Sequence, residues 1–352
     1  MTKKKPVIHF FLLVLAVLLA PVGASQDTAL KEPPPLFESD EVLELTLTTN
    51  IKAVRKDIKE ERSYHPAQLS YMDSQNRKIS LNIQIRTRGH SRRNPRVCDF
   101  PPLRIKFLES EARDTIFREQ KKLKLVTHCQ TKIKAFQGYV LQEYLCYKLY
   151  NILTDKSFRV RLARVTYVDS EGKTKPYTSL AFFIENEKKM AQRIGGKIIQ
   201  NKEGLRILYR MRNRVMHAVF QFLIGNTDFS APFDHNVKIV ASDENDVFFP
   251  VPYDFDLSGI VDAHYAKPDP KLRHKIESVR ERLYRGFCGP ESQLKFAFAH
   301  FNKNKEKIYA LYTNFPLLKS KVKKSTIRYL DEFFKIINNP RLVKRHFIEN
   351  CR

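Results

Sequence analysis

The sequence predicts an α+β fold, β-rich in its N-terminal half and mainly helical in its C-terminal half. Three observations carry that expectation. Between residues 43 and 185 short runs alternate apolar with polar residues, as in 78–88, where Ile79, Leu81, Ile83 and Ile85 share one face. From residue 206 the apolar period lengthens: Ile207, Leu208, Met211, Val215, Val219 and Phe222 form one helical stripe, and Ile327, Leu330, Phe333 and Phe334 another. The composition, 42% hydrophobic with 25 Phe among 352 residues, supplies a large core and excludes a disordered chain.

Residues 1–24 read as an export signal, with Lys3, Lys4 and Lys5 before an apolar run from Val7 to Ala20, then Pro21 and the small-residue site Val22-Gly23-Ala24. The apolar run is shorter than the roughly 20 residues a membrane-spanning helix needs. A periplasmic or extracellular location is therefore expected. Residues 25–35 form a linker ending in Pro33-Pro34-Pro35. Ordered structure then divides into 36–185 and 186–352. In the first part, strands are expected at 36–51, 67–72, 78–88, 103–107, 121–126, 159–169 and 177–185, with a helix at 136–153. In the second, helices are expected at 186–193, 206–224, 278–284, 292–299, 303–312 and 321–337.

The formal net charge of +25 implies an anionic partner: acidic lipid, anionic envelope polymer or nucleotide phosphate. Export makes nucleic acid the least expected of these. Five cysteines, Cys98, Cys129, Cys146, Cys288 and Cys351, allow at most two disulfides in an oxidising compartment, and no spacing among them is that of a metal site.

Residues 219–262 concentrate the chemistry. The apolar run Val219 to Ile224 leads into Gly225-Asn226-Thr227-Asp228, then Asp234-His235-Asn236, a β-like 237–240, and a returning strand that ends in Asp254 and Asp256. Two acidic stations joined by a hairpin suit Mg²⁺ beside a phosphoryl acceptor, because hard cations take oxygen ligands. Asp228 is the candidate to orient or deprotonate a hydroxyl. Asn236, Asp254 and Asp256 are the candidate Mg²⁺ ligands, Asp256 as a second ligand or the principal one. Upstream, the strand at 78–88 runs into Arg86-Thr87-Arg88-Gly89-His90-Ser91-Arg92-Arg93, where glycine admits backbone to an anion and arginines fork onto phosphate oxygens.

The phrases G-N-T-D, H-N and Y-D-F-D-x-S-G, with R-x-R-G-x-S-R before a strand, resemble the spore-coat protein H (CotH) family of atypical kinases. The resemblance implies a two-lobed protein-kinase-like fold and transfer of phosphate from ATP with Mg²⁺ to a protein or other hydroxyl acceptor. It implies nucleotide contacts from Arg88, Gly89 and Ser91, from a strand lysine that is either Lys106 or Lys124, and from Glu143 as that lysine's helical partner. The stretch 183–185 would face adenine. The spacing from Asp228 to Asn236 exceeds that of ordinary protein kinases, so the loop must bulge through Ala231-Pro232-Phe233, and Asp234 is a possible substitute. The rival reading is a non-catalytic envelope protein that binds anionic polymer or lipid. Metal-dependent phosphoester hydrolysis needs the same carboxylates without a nucleotide.

Overall fold

A computed structural model of the chain describes residues 1–2, 35–89, 92, 94–243 and 247–352. The apolar and cleavage portions of the expected export signal, and the linker up to Pro34, lie outside the described residues. The described residues from Pro35 to Arg352 belong to one compact unit.

The first half is built from β1 (Leu43–Thr49), α1 (Ile51–Lys56), β2 (His65–Met72), β3 (Lys78–Thr87), β4 (Leu103–Phe107), α2 (Glu109–Ala112), β5 (Lys122–Val126), α3 (Ala135–Leu153), β6 (Val160–Asp169) and β7 (Tyr177–Ile184). The seven strands close into a barrel in the order β1-β2-β3-β4-β5-β7-β6. Six contacts around the barrel are antiparallel, and the seventh is a parallel pairing of β1 with β6 from Leu43↔Ala163 to Thr49↔Asp169. Closure leaves no unpaired edge and encloses a core of its own, including Leu47, Leu69, Ile85, Ile105, Phe117 and Phe183.

This closure overturns the expected two-lobed protein-kinase-like fold. The strands do not form an open sheet that serves as a separate lobe over a helical one. They make a closed barrel within a mixed α/β protein. The physical reason is that β6 uses the backbone groups of both its edges, pairing antiparallel with β7 along one and parallel with β1 along the other.

The β7 run Leu180-Ala181-Phe182-Phe183-Ile184 is apolar throughout because both faces are buried. Ala181 and Phe183 join the barrel interior, whereas Leu180, Phe182 and Ile184 join the core around α3. That outer core is the foundation of the site. α3 lies against β6 and β7 and contributes Val140, Leu141, Leu145, Leu149 and Leu153 to it.

The second half has α4 (Glu187–Arg193), capped by the Asn186 side chain accepting from Lys188 and Lys189 N–H, then β8 (Gly196–Ile199), α5 (Ile207–Arg210) and α6 (Arg214–Ile224). Next come β9 (Val237–Ser242), β10 (Phe248–Pro252), α7 (Glu291–Lys303), α8 (Lys305–Thr313), α9 (Ser320–Ile337) and α10 (Pro340–Val343). β8, β9 and β10 form a three-stranded sheet in the order β10-β9-β8.

The helix expected over 206–224 is broken. Met211 bridges to Phe248, Arg212 N–H donates to the Phe248 carbonyl at 2.9 Å, and Asn213 turns left-handed at φ 57° before α6 starts. The helix expected at 278–284 does not form. There residues 278–281 make a turn, with Glu281 N–H donating to the Ser278 carbonyl at 3.0 Å, and Arg280 and Arg282 set their guanidinium groups over the Tyr329 ring, at 4.2 and 3.5 Å from its centroid. Disulfides join Cys98 to Cys129 and Cys288 to Cys351, and Cys146 is a buried free thiol on α3. Among the described residues no helix is long and apolar enough to cross a membrane.

Candidate functional site

A cleft of about 810 Å³ lies between barrel strands, α3 and the loops around β9 and β10. That volume suits a nucleotide-sized ligand. Of the residues singled out from sequence, Arg88, Gly89, Lys124, Glu143, Asp228, Asn236, Asp254 and Asp256 all line it. Lys106 does not: it points off β4 and sits 5.7 Å from the Tyr64 ring centroid. Ser91 lies outside the described residues. Both lysines point outward, because Ile105 and Phe107 on β4 and Leu123 and Leu125 on β5 face the barrel interior. They differ in strand position: Lys124 pairs with Ile184 of β7, which lines the cleft, whereas Lys106 pairs with Lys122, farther along β5.

The acidic wall is placed where α6 and the strand β10 give way to loops. α6 ends at Gly225, whose φ of +64° is the left-handed conformation that stops a helix. Asn226, almost fully buried, then bridges backward and forward: its Nδ2 donates to Gln221 Oε1 at 3.0 Å and its Oδ1 accepts from Asp228 N–H at 2.9 Å. The Asp228 carboxylate is gripped on both oxygens. His235 Nε2 lies 2.8 Å from Oδ1, and Asn236 Nδ2 donates to Oδ2 at 2.9 Å and to the Asp228 carbonyl at 2.8 Å. Between them the chain takes the expected bulge as a 3₁₀ turn over Ala231–Phe233. Asp234 instead turns its Oδ2 to Asn201 N–H at 2.9 Å.

Asp234, Asn236 and Asp254 all have positive φ, between 51° and 64°. Asn and Asp tolerate this region better than other non-glycine residues, and such outliers concentrate at functional sites. Asp254 is fixed through its backbone, whose N–H donates to Tyr147 Oη at 2.9 Å. Tyr147 stands one helical turn beyond Glu143 on α3, so a single helix face supplies both groups.

The electrostatics are those of a crowded acid cluster facing arginines. Burial, with the neighbouring Asp256 charge, pushes the Asp254 carboxyl up to about 6, although Arg92 and Arg88 pull it down. Burial pushes Glu143 up to about 8 against the pull of Arg92. Burial lowers Arg88 and Lys124, and for Lys124 the Arg88 charge adds to the effect. Burial alone would also lower Arg92, but Asp256, Glu143 and Asp254 together outweigh it and hold the guanidinium charged. Arg92 is ion-paired directly to Asp256, which also accepts from Tyr265 Oη at 3.2 Å.

Glu143 therefore answers to arginines, not to a lysine. The partner of Lys124 is Glu187, at 3.5 Å, which Lys238 shares at 3.6 Å. Sequence reasoning missed Glu187, His235, Tyr147 and the pairing role of Arg92. His235 and Arg92 stood within the motifs, and Tyr147 at a four-residue step from Glu143; nothing local marks Glu187. The stretch 183–185 offers the cleft only the Ile184 side chain: β7 is flanked by β5 and β6, and Glu185 N–H donates to the Arg159 carbonyl at 2.9 Å.

Asp254, Asp256 and the Asn236 side-chain oxygen make an all-oxygen donor set, and the burial that raises Asp254, with the Asp256 charge adding to it, is what a hard divalent cation would offset. That donor set fits Mg²⁺. Among the described residues no group of three His, Cys, Asp or Glu side chains forms a cation cluster alone, so phosphate and water oxygens would complete the shell.

No family model matches the chain, and no curated protein matches it. Among solved structures, the crystal structure of a Helicobacter pylori proinflammatory kinase, CtkA, is similar at a TM-score of 0.35 and 11% identity, over 69% of this chain and 92% of that one. A likeness that slight carries no argument about activity.

Proposed function

We propose that the chain is a phosphotransferase that moves the terminal phosphoryl group of a Mg²⁺-bound nucleotide, ATP in the simplest case, to a hydroxyl acceptor such as a protein side chain. The observation that carries this reading is the convergence on one cleft of a cationic wall, Arg88 and Lys124, and an oxygen-donor wall, Asn236, Asp254 and Asp256, with Asp228 beside them. Arg88 and Lys124 would neutralise phosphate oxygens from one side. Gly89, at φ +95°, would let the backbone approach those oxygens. Mg²⁺, when bound to the opposite wall, would offset the charge of the transferring phosphate.

Asp228, with both oxygens oriented by His235 and Asn236, would take the proton of the acceptor hydroxyl as its oxygen bonds to phosphorus and the bridging oxygen departs with the nucleoside diphosphate. Val126, Phe158 and Ile184 supply apolar wall for a base. The two disulfides support placing this activity outside the reducing cytoplasm.

The test is calorimetric titration of ATP with and without Mg²⁺ into the wild type and into Asp254→Ala and Lys124→Ala. Mg²⁺-dependent binding in the wild type that is lost in Asp254→Ala is expected. Absence of binding to the folded wild type, with polyanion binding that ignores Mg²⁺, would replace this reading with that of an anionic-envelope binder.

A further inference from the structure

A second pocket, of about 80 Å³, lies beside the same loop: Phe229, Ser230 and Phe233 line it, whereas Asp228, His235 and Asn236 line the large cleft. Two arginines from distant parts of the chain meet in its wall. Arg285 donates through Nη1 to the carbonyl of Thr227, the residue before Asp228, and its Nε is buried without a hydrogen-bond partner. Arg352 is held beside it by paired backbone bonds: its N–H donates to the Gly286 carbonyl at 2.9 Å and its carbonyl accepts from Cys288 N–H at 3.0 Å, next to the Cys288–Cys351 disulfide.

Burial lowers Arg285 to about 10 and the Arg352 charge works in the same direction, with Asp269 and Asp228 opposing. Like charges held together by a covalent link and backbone pairing are stabilised by an anion. The rim is apolar: Phe233 is 76% exposed and Leu205 55%. Neither is on a slack loop. Asn201 Nδ2 donates to the carbonyls of Gly204 and Pro232, both at 2.8 Å, and so clamps the two turns that present Leu205 and Phe233.

We propose that this pocket is an acceptor-recognition subsite for an acidic polypeptide, taking a carboxylate side chain on Arg285 and Arg352 and an adjacent apolar side chain on Phe233 and Leu205. The charge of +25 complements such a partner and would steer it. The assignment of acceptor rests on the phosphotransfer reading, because the site adjoins Asp228; the binding itself does not.

The test is fluorescence anisotropy on the full chain with a fluorescein-labelled peptide GSFEESG and its neutral counterpart GSFQQSG, beside ATP calorimetry on the same preparations. The acidic peptide is expected to bind about tenfold more tightly, and Phe233→Ser and Arg352→Gln, both at exposed positions, each to remove most of that preference while leaving Mg²⁺-ATP binding unchanged. Equal binding of the two peptides, preference unaltered by both variants, or displacement of the peptide by an equally charged oligothymidylate at lower concentration would overturn the proposal. Peptide preference without ATP binding would retain the subsite and remove the nucleotide reading. ATP binding without peptide preference would do the reverse.

Discussion

Around Asp228 four side chains fix one carboxylate, two directly and two through backbone: His235 on Oδ1, Asn236 on Oδ2 and on the Asp228 carbonyl, Asn226 on the Asp228 N–H, and Arg285 on the preceding carbonyl. A side chain braced in this way acts through its charge and position, so removal of the charge with the shape retained is the informative change. Asp228→Asn is expected to lower the phosphotransfer rate by about 10²–10⁴-fold while ATP affinity, read by calorimetry, stays within about twofold. Glu143 gives a prediction of a different kind. Its folded carboxyl titrates near 8, above the ordinary value of 4.5, because it is buried. The native state therefore holds a proton that the unfolded chain has released, and between about pH 4.5 and 8 this group makes stability fall as pH rises. Glu143→Gln, which keeps the neutral shape, is expected to melt higher than the wild type by a margin that grows from pH 5 to pH 8.5 in the metal-free protein. A margin that stays constant or shrinks over that range would show that the carboxylate form is the one the fold accommodates.

At the scale of elements, most of the strands and helices were legible in the sequence because their cause is local. Alternation in 78–88 became β3, and the three-and-four stripe of 136–153 became α3. The misreadings have non-local causes. A continuous stripe over 206–224 gave no sign that Met211 would pair with Phe248, and the arginines of 278–284 are held by Tyr329, which is remote in sequence. The site was legible to a similar degree: acidic stations and glycine punctuation marked Asp228, Asn236 and Asp254, which line the cleft, but Lys124 and Lys106 both point outward and only the non-local pairing of β5 with β7 puts Lys124 at the cleft. Glycines test how tightly elements meet. A Cβ on Gly259 would come within 2.2 Å of the Val279 backbone carbonyl, which cannot swing aside, whereas one on Gly138 of α3 would meet nothing within 4 Å. Gly259→Ala is expected to lower stability by about 1–3 kcal/mol, and Gly138→Ala to raise it by about 0.5–1 kcal/mol, by denaturant unfolding. A neutral Gly259→Ala would mean that the 254–262 segment is free to shift.

For the molecule as a whole, the decisive feature is one that no local pattern announces. β1 and β6 are separated by most of the barrel sequence, and their parallel pairing closes the run of strands into a shell. The cleft then draws Arg88 and Lys124 from that shell, Glu143 from α3, and its acids from the loops of the second half, so its geometry depends on how firmly the peripheral segments are tied down. The disulfides do this in different places. Cys98–Cys129 closes 31 residues and borders the cleft, with Val97 and Cys129 in its wall, whereas Cys288–Cys351 closes 63 residues and fixes the segment carrying Arg352. Loop-closure entropy makes each worth about 4 kcal/mol. Replacement of either pair by serine is therefore expected to lower the melting temperature comparably, but with separable functional effects: Cys98→Ser with Cys129→Ser weakens Mg²⁺-ATP binding, and Cys288→Ser with Cys351→Ser leaves it intact while abolishing discrimination between acidic and neutral peptides. Thermal melts and the two binding assays at a temperature where all variants are folded check this. If both pairs weaken ATP binding alike, the cleft responds to global stability and not to the local tether.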